Sequence, residues 1–308
     1  MSTQGIRHIR NHIVVGTDGS EAARHAVAWA AREAAIRHLP LRVVHGLVWP
    51  QAYAPMAPVY QDSGDGLREA AEQFVAEAAQ VARSTVPQLD VETEVVEASG
   101  TVALLEAGQD AALIVVGTRG LGGFSGLVVG STATQLAVYA PCPVIVVREG
   151  QPTAAEQLVR EPEPTDGPRP VVVGVDASDH ALAALEFAYE EATLRNAALL
   201  AVHAWTGPVS TGPGDMAPLV YDPVELHADE TRLLSELLAG WSDKFPDVRV
   251  TREVVRDRPD HALVEASKRA DLVVVGARGV GGFRGLLFGS VSQAVLHHAQ
   301  CPVAVVRA

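Results

Sequence analysis

Leu113-Ile114-Val115-Val116-Gly117-Thr118-Arg119-Gly120, nine further residues and then Gly130-Ser131 form the stretch on which the reading of this chain turns. Four apolar, mostly β-branched residues, Leu113 to Val116, predict a buried strand. Gly117, Gly120, Gly122, Gly123 and Gly126 end it, and glycine both permits positive φ and lets a ligand approach bare backbone. Ser131-Thr132-Ala133-Thr134-Gln135-Leu136 reads as the start of a helix. A glycine-rich loop between a strand and a helix N-terminus predicts an anion site, because free N–H groups and the helix dipole point at one place. One such loop is a weak signal. The string recurs, however, as Gly276-Ala277-Arg278-Gly279, nine residues and Gly289-Ser290.

Working outward, the repeat extends over the whole chain. His12-Ile13-Val14-Val15-Gly16-Thr17-Asp18-Gly19-Ser20 matches Pro170-Val171-Val172-Val173-Gly174-Val175-Asp176-Ala177-Ser178. A near-constant offset over about half the chain means a duplicated domain rather than short solenoid units. Residues 149–169 contain Pro152, Pro162, Pro164, Pro168 and several acids, the composition of a linker. The division predicted is a first domain over 1–150, a linker over 151–169 and a second domain over 170–308.

Within each copy strands and helices alternate. First strands close on Asp18 and Asp176, and Ser20 and Ser178 are candidate N-caps of the helices that follow. Leu182, Leu185, Ala188 and Ala192 are expected to form one apolar helix face. Second strands are predicted at 41–48 and 198–204, loops at 50–66 and 207–223, helices at 67–83 and 224–241, and third strands at 91–96 and 248–255. Short helices (102–107 and 261–268) lead to the fourth strands and glycine loops. Closing strands lie at 143–147 and 302–306. Repeated βα units predict a parallel sheet with right-handed crossovers and helices on both faces. Ligands bind such sheets at the carboxyl ends of strands, where Asp18 and Gly117 both fall.

Composition narrows the function classes. A net charge of -13 and only two lysines, Lys244 and Lys268, argue against nucleic acid and anionic membranes as partners. Two cysteines give no disulfide framework. Residues 1–12 show no apolar signal segment, and the Ala-rich run 22–35 is broken by Arg24, Arg32 and Glu33, so no membrane insertion and a cytoplasmic location are expected.

A valine-rich first strand closing on Asp and Ser, with Gly-x-x-Gly, nine residues and Gly-Ser, resembles the universal stress protein family in its tandem form. The strand starts at Pro141-Cys142-Pro143-Val144 and Cys301-Pro302-Val303 fit it as well. The resemblance implies two Rossmann-like or flavodoxin-like domains (the adenine nucleotide alpha hydrolase-like type), each a five-stranded parallel sheet of order 3-2-1-4-5. It further implies ATP, with Mg²⁺, held between the ends of strands one and four. Candidate binding residues in the first copy are then Gly16, Thr17, Asp18, Val44, Gly117, Thr118, Arg119, Gly120, Gly130, Ser131 and Thr132. Those in the second are Gly174, Val175, Asp176, Val202, Gly276, Ala277, Arg278, Gly279, Gly289, Ser290, Val291 and Ser292.

The residue chemistry agrees. Backbone N–H groups suit a triphosphate, and Ser131, Thr132, Ser290 and Ser292 add hydroxyls. Asp18 and Asp176 suit ribose hydroxyls or water around Mg²⁺. Arg119 and Arg278 suit phosphate. By the family's example the adenine lies near Val44-His45 and Val202-His203, read mainly by backbone. For the two histidines, which recur at one position of the second strand, a satisfied, partly buried imidazole is expected over a catalytic one. Against each site residue stands a structural alternative: a tight ligand-free turn for the glycines, helix capping for the aspartates, a solvated loop for the arginines, and simple packing for Cys142 and Cys301.

The function implied is a nucleotide-dependent regulator in the stress response, acting through a protein partner that the residues do not name. The alternative is an enzyme that slowly hydrolyses ATP or transfers its phosphoryl group. Neither loop carries the Gly-Lys-Ser/Thr of a P-loop and neither holds an acid to act as base, which favours the regulator. The apolar closing strands, 144–147 and 303–306, are expected to pair as an internal pseudo-dimer, leaving room for homodimers of the whole chain.

Overall fold

A computed structural model describes residues 11–49, 61–120, 129–148, 168–207, 222–279 and 288–308, with 61–65 described as backbone alone. The linker residues 151–167, Gly122, Gly123 and Gly126, the second-loop residue Arg284, and parts of the two Pro-rich loops lie outside these. The chain divides into two compact units, residues 1–153 and 154–308.

The first unit runs β1 (His12–Gly16), α1 (Glu21–Arg37), β2 (Leu41–Gly46), α2 (Gln61–Thr85), β3 (Val91–Val96), α3 (Gly100–Ala107), β4 (Ala111–Gly117), α4 (Ser131–Tyr139) and β5 (Val144–Val147). All strand pairs are parallel, and the order is β3-β2-β1-β4-β5. Consecutive residues of the central strands, Ile13, Val14 and Val15 in β1 and Leu113, Ile114 and Val115 in β4, are all fully buried, the mark of a sheet covered on both faces.

The second unit repeats this: β6 (Val171–Gly174), α5 (Asp179–Arg195), β7 (Leu199–Trp205), α6 (Pro223–Leu237), α7 (Trp241–Lys244), β8 (Val250–Arg256), α8 (Pro259–Ser267), β9 (Leu272–Gly276), α9 (Ser290–His298) and β10 (Val303–Val306). Its order, β8-β7-β6-β9-β10, is the same succession. In both units the chain leaves β1 or β6 towards one side of the sheet and later fills the other. The crevice between β1 and β4, and between β6 and β9, is therefore a switch point.

Several boundaries differ from the sequence expectation. α2 begins at Gln61, not 67, and takes in Gly64 and Gly66. Ala71, Val75, Ala78, Ala79 and Ala82 bury one stripe of it, and that packing outweighs the poor helix propensity of glycine. α6 stops at Leu237, not 241, because Gly240 turns the chain at φ 80° before the short α7. In α5 the buried face is Ala181, Ala184, Leu185, Ala188 and Ala192; Leu182, expected on it, is 39% exposed, one helical step off the stripe.

Ser20 and Ser178 do cap α1 and α5, accepting from Ala23 N and Ala181 N. Both helices also carry a buried carboxylate, Glu33 and Glu191, each paired with the arginine four residues on, Arg37 and Arg195. Sequence spacing alone reads such pairs as solvent-facing. Cys142 and Cys301 are buried thiols at the starts of β5 and β10. Among the described residues no helix is long and apolar enough to cross a membrane.

Candidate functional site

Each crevice holds a cavity, of about 470 Å³ in the first unit and about 440 Å³ in the second. Both volumes lie within the roughly 300–1,000 Å³ of small-molecule sites.

The Asp18 loop is built from below. Thr17 N donates to Val44 O (3.0 Å), and His45 Nδ1 donates to Thr17 O (2.8 Å). A carbonyl only accepts, so the imidazole of His45 is a satisfied prop under the loop. The second unit copies this through Val175 N to Val202 O (2.9 Å) and His203 Nδ1 to Val175 O (2.8 Å). The far nitrogens differ: His203 Nε2 lies 2.9 Å from Glu230 Oε2, whereas His45 meets the Phe74 ring edge-on. Val44 and Val202 line the cavities, but one lone pair of each carbonyl already serves the loop.

Asp18 then turns upward. Its Oδ1 accepts from Ser20 N (3.1 Å), while Ser20 Oγ reaches back to Arg119 O (3.4 Å). Asp176 is held more firmly, since Oδ1 accepts from both Ser178 N (3.0 Å) and Ser178 Oγ (2.5 Å). The capping alternative is thus half right: the aspartate braces the helix entry with one oxygen while facing the cavity. The other oxygen lies against the glycine loop. A Cβ on Gly120 would sit 2.1 Å from Asp18 Oδ2, and one on Gly279 would sit 2.5 Å from Asp176 Oδ2.

This redistributes the roles of the glycines. Gly117 and Gly276 lack Cβ atoms because α1 and α5 pass there, at Ala22 and His180, 2.8 Å from the built position. Gly16 and Gly174 make room for Leu104 and Leu263 in the same way. Only the final pair, Gly130 and Gly289, opens on the helix starts. They are the N-caps of α4 and α9, and neither helix has a capping side chain or an acid in its first turn. α1, α3, α5 and α6, by contrast, are capped by Ser or Asp side chains, and α7 and α8, which are not, carry Asp243 and Asp260 in their first turns. First-turn N–H groups left over at a positive dipole end suit an anion. The loops are closed behind them by Gly130 N to Thr118 O (2.6 Å) and Gly289 N to Ala277 O (2.9 Å).

The structure therefore brings all the sequence-selected residues of the first unit onto one cavity wall, and all those of the second except Ala277. Ala277 is buried behind the wall, its N donating to Val306 O. Ser292 Oγ donates to Gly276 O (2.5 Å), so its proton is committed to the loop. Among the lining residues missed by the sequence reading are Gly46, Gly100 and Leu104 in the first unit, and Ala204, Pro259 and Leu263 in the second, together with the strand-end valines Val116 and Val275. The first three of each set come from β2 and α3, or β7 and α8; of these only the leucine, Leu104 and Leu263, recurs at the repeat offset, and the other two positions carry no sequence signal.

This strand-end geometry coincides with a sequence match. The universal stress protein family profile matches residues 10–148 and again residues 168–307. The chain belongs to the universal stress protein family. Universal stress protein Rv2623 of Mycobacterium tuberculosis (strain ATCC 25618 / H37Rv) is 38% identical over 303 residues, covering 96% of each chain. A universal stress protein of Mycolicibacterium smegmatis (strain ATCC 700084 / mc(2)155) is 39% identical over 302 residues, with the same coverage. The crystal structure of a universal stress protein from Archaeoglobus fulgidus DSM 4304 shares the fold across 97% of this chain and 96% of its own, with a TM-score of 0.66 at 18% identity. The tandem arrangement of this universal stress protein is thus shared with whole-length relatives.

Proposed function

We propose that each unit binds an adenine nucleotide, ATP with Mg²⁺, and that the protein is a cytoplasmic nucleotide-dependent regulator of the stress response acting through a protein partner. The observation that carries this is the pair of uncapped helix starts, each facing an aspartate across a cavity of nucleotide size. The phosphate chain fits the N–H groups after Gly130 and Gly289, with Ser131, Thr132 and Ser290 at its sides and Arg119 or Arg278 beside it. Asp18 and Asp176 fit the ribose hydroxyls, or water around Mg²⁺. Val44, Leu104 and Val116, or Val202, Leu263 and Val275, give the apolar walls that a base requires.

The regulator reading is favoured over an enzyme by what lines the cavities. Among the described residues their titratable groups are one aspartate and one arginine each, and the aspartate is engaged with the helix entry. A general base must reach the attacking water, and among the described residues no second carboxylate or histidine lines either cavity. Purified protein is expected to carry adenine nucleotide detectable by mass spectrometry, and calorimetry is expected to show two sites per chain. Absence of both would refute the binding reading. Turnover well above about one per second, the low end of typical enzymes, would move the protein to the enzyme class.

A further inference from the structure

The two sites share their donors but not the neighbour of their arginine. His180 occupies in α5 the place that Ala22 holds in α1, each beneath the glycine that ends the fourth strand of its unit. Arg278 Nε donates to His180 Nε2 at 3.2 Å, and the other ring nitrogen lies 2.9 Å from Ala308 N. A neutral imidazole has one lone pair and one N–H, so it accepts from only one of these donors at a time. The charged guanidinium is the stronger donor, so Nε2 carries the lone pair and Nδ1 the proton, and the N–H of Ala308, which points at Nδ1, gives up that contact when Arg278 is held. Arg119 in the first unit makes no side-chain hydrogen bond or ion pair among the described residues, since an alanine methyl offers nothing to hold it.

We propose that His180 is a positioning residue: by accepting from Arg278 Nε it fixes the guanidinium at the cavity wall, so that the second site takes a nucleotide's phosphate chain more tightly than the first. The inference rests on the nucleotide reading above and adds an inequality between the sites. Arg278 lines the cavity, and its terminal nitrogens have no hydrogen-bond partner among the described residues, which leaves its fork for an anion. Arg119 lines its own cavity but must be ordered when the ligand arrives. Burial, then the positive charges of Arg278 and Arg307, lower the His180 pKa below the usual imidazole value, against the opposing pull of Asp179 and Asp176. The ring therefore keeps its lone pair at neutral pH.

Full-length wild type, His180→Ala and His180→Gln are titrated calorimetrically with ATP and, separately, with adenosine. Wild type is expected to show two classes of ATP site separated about two- to tenfold, the cost of ordering one long side chain. His180→Ala is expected to merge them by weakening the tighter class. His180→Gln, whose amide oxygen still accepts, keeps them apart. Adenosine affinity stays the same in all three, because it has no phosphate to meet Arg278. On an Arg278→Ala background the His180→Ala change is expected to have no further effect. An unchanged ATP isotherm in His180→Ala, or an equal loss for adenosine, overturns the inference while leaving the nucleotide reading intact. Wild type that binds neither ligand overturns both.

Discussion

Replacing Gly120 with alanine tests the site at its tightest point. The sequence suggests that a side chain here would block the path of the phosphates. The structure places a different atom first: the new Cβ would lie 2.1 Å from Asp18 Oδ2 and 3.2 Å from its Cγ. The backbone at Gly120 is not in the left-handed region, so alanine is conformationally acceptable and the carboxylate is what must move. Its displacement strains the hydrogen bond from Ser20 N and takes the carboxylate from where a ribose hydroxyl would meet it. Losing a charged hydrogen bond costs about 1.5–3 kcal/mol, which is about ten- to hundredfold in nucleotide Kd.

Gly279→Ala should act less strongly. The built Cβ is 2.5 Å from Asp176 Oδ2 and 3.6 Å from Cγ, so a smaller shift relieves it. The assay is isothermal titration with ATP, paired with a thermal melt to show that the fold survives. The route of the effect is checked by a cycle: on an Asp18→Ala background, Gly120→Ala should cost almost nothing, since the atom it strikes is gone. Undiminished affinity in Gly120→Ala refutes the pairing of Asp18 with this loop. Full additivity in the cycle would instead show that the methyl blocks ligand directly, as the sequence alone suggests.

Two further outcomes are expected. Gly130→Ser should raise the melting temperature slightly while weakening ATP binding in the first unit, because Gly130 has extended φ and ψ, the new Cβ would be 3.4 Å from Thr118 O, and a serine hydroxyl would cap the N–H groups that an anion needs; tighter ATP binding would contradict the anion assignment. In a histidine NMR titration His12 and His180 should titrate below the usual imidazole pKa, chiefly through burial, and His261 above it, chiefly through its hydrogen bond to Asp257. The sign for stability follows: the His261 contribution is present at low pH and fades as pH rises through its raised pKa, whereas stability tied to neutral His12 is lost as pH falls below the usual value. The reverse order of titration would show that these environments are wrongly described.

What the sequence made legible was local. Val14-Val15-Gly16-Thr17-Asp18 and Ile114-Val115-Val116-Gly117 are strand-to-loop transitions whose residues carry their own signal, and both copies of each were found. The walls were illegible because they are non-local. Leu104 and Leu263 are ordinary helix leucines until α3 or α8 packs over Gly16 or Gly174. Glu33 and Glu191 look solvated until the helix face that carries them turns out to be buried. The glycine loop was located correctly but its glycines were read as one device. Gly117 clears a helix, Gly120 clears a carboxylate, and Gly130 alone leaves a helix start open, a division that depends on contacts across about a hundred residues of sequence.

The two units diverge around a common centre, and where they diverge is informative. Asp18 and Asp176 each accept from the backbone N–H of the serine two residues on, that serine caps the following helix, and the starts of α4 and α9 are both uncapped; Asp176 adds only the hydroxyl of Ser178. These are the groups that would touch a hydroxyl and an anion. The surroundings are not matched. Gly46 lies so close to Gly100 that a Cβ on it would be 2.6 Å from the Gly100 backbone, whereas Ala204 and Pro259 stand at those places in the second unit. Proline also removes the N–H that Gly100 keeps. Phe74 faces His45 where Glu230 faces His203, and Ala22 lies where His180 holds Arg278. Groups that define what a ligand is are thus repeated, and groups that set how firmly it is held are not. Two sites for one class of ligand with separated affinities respond over a wider range of ligand concentration than two equal ones. A duplication of this kind would gain that range without any new binding chemistry.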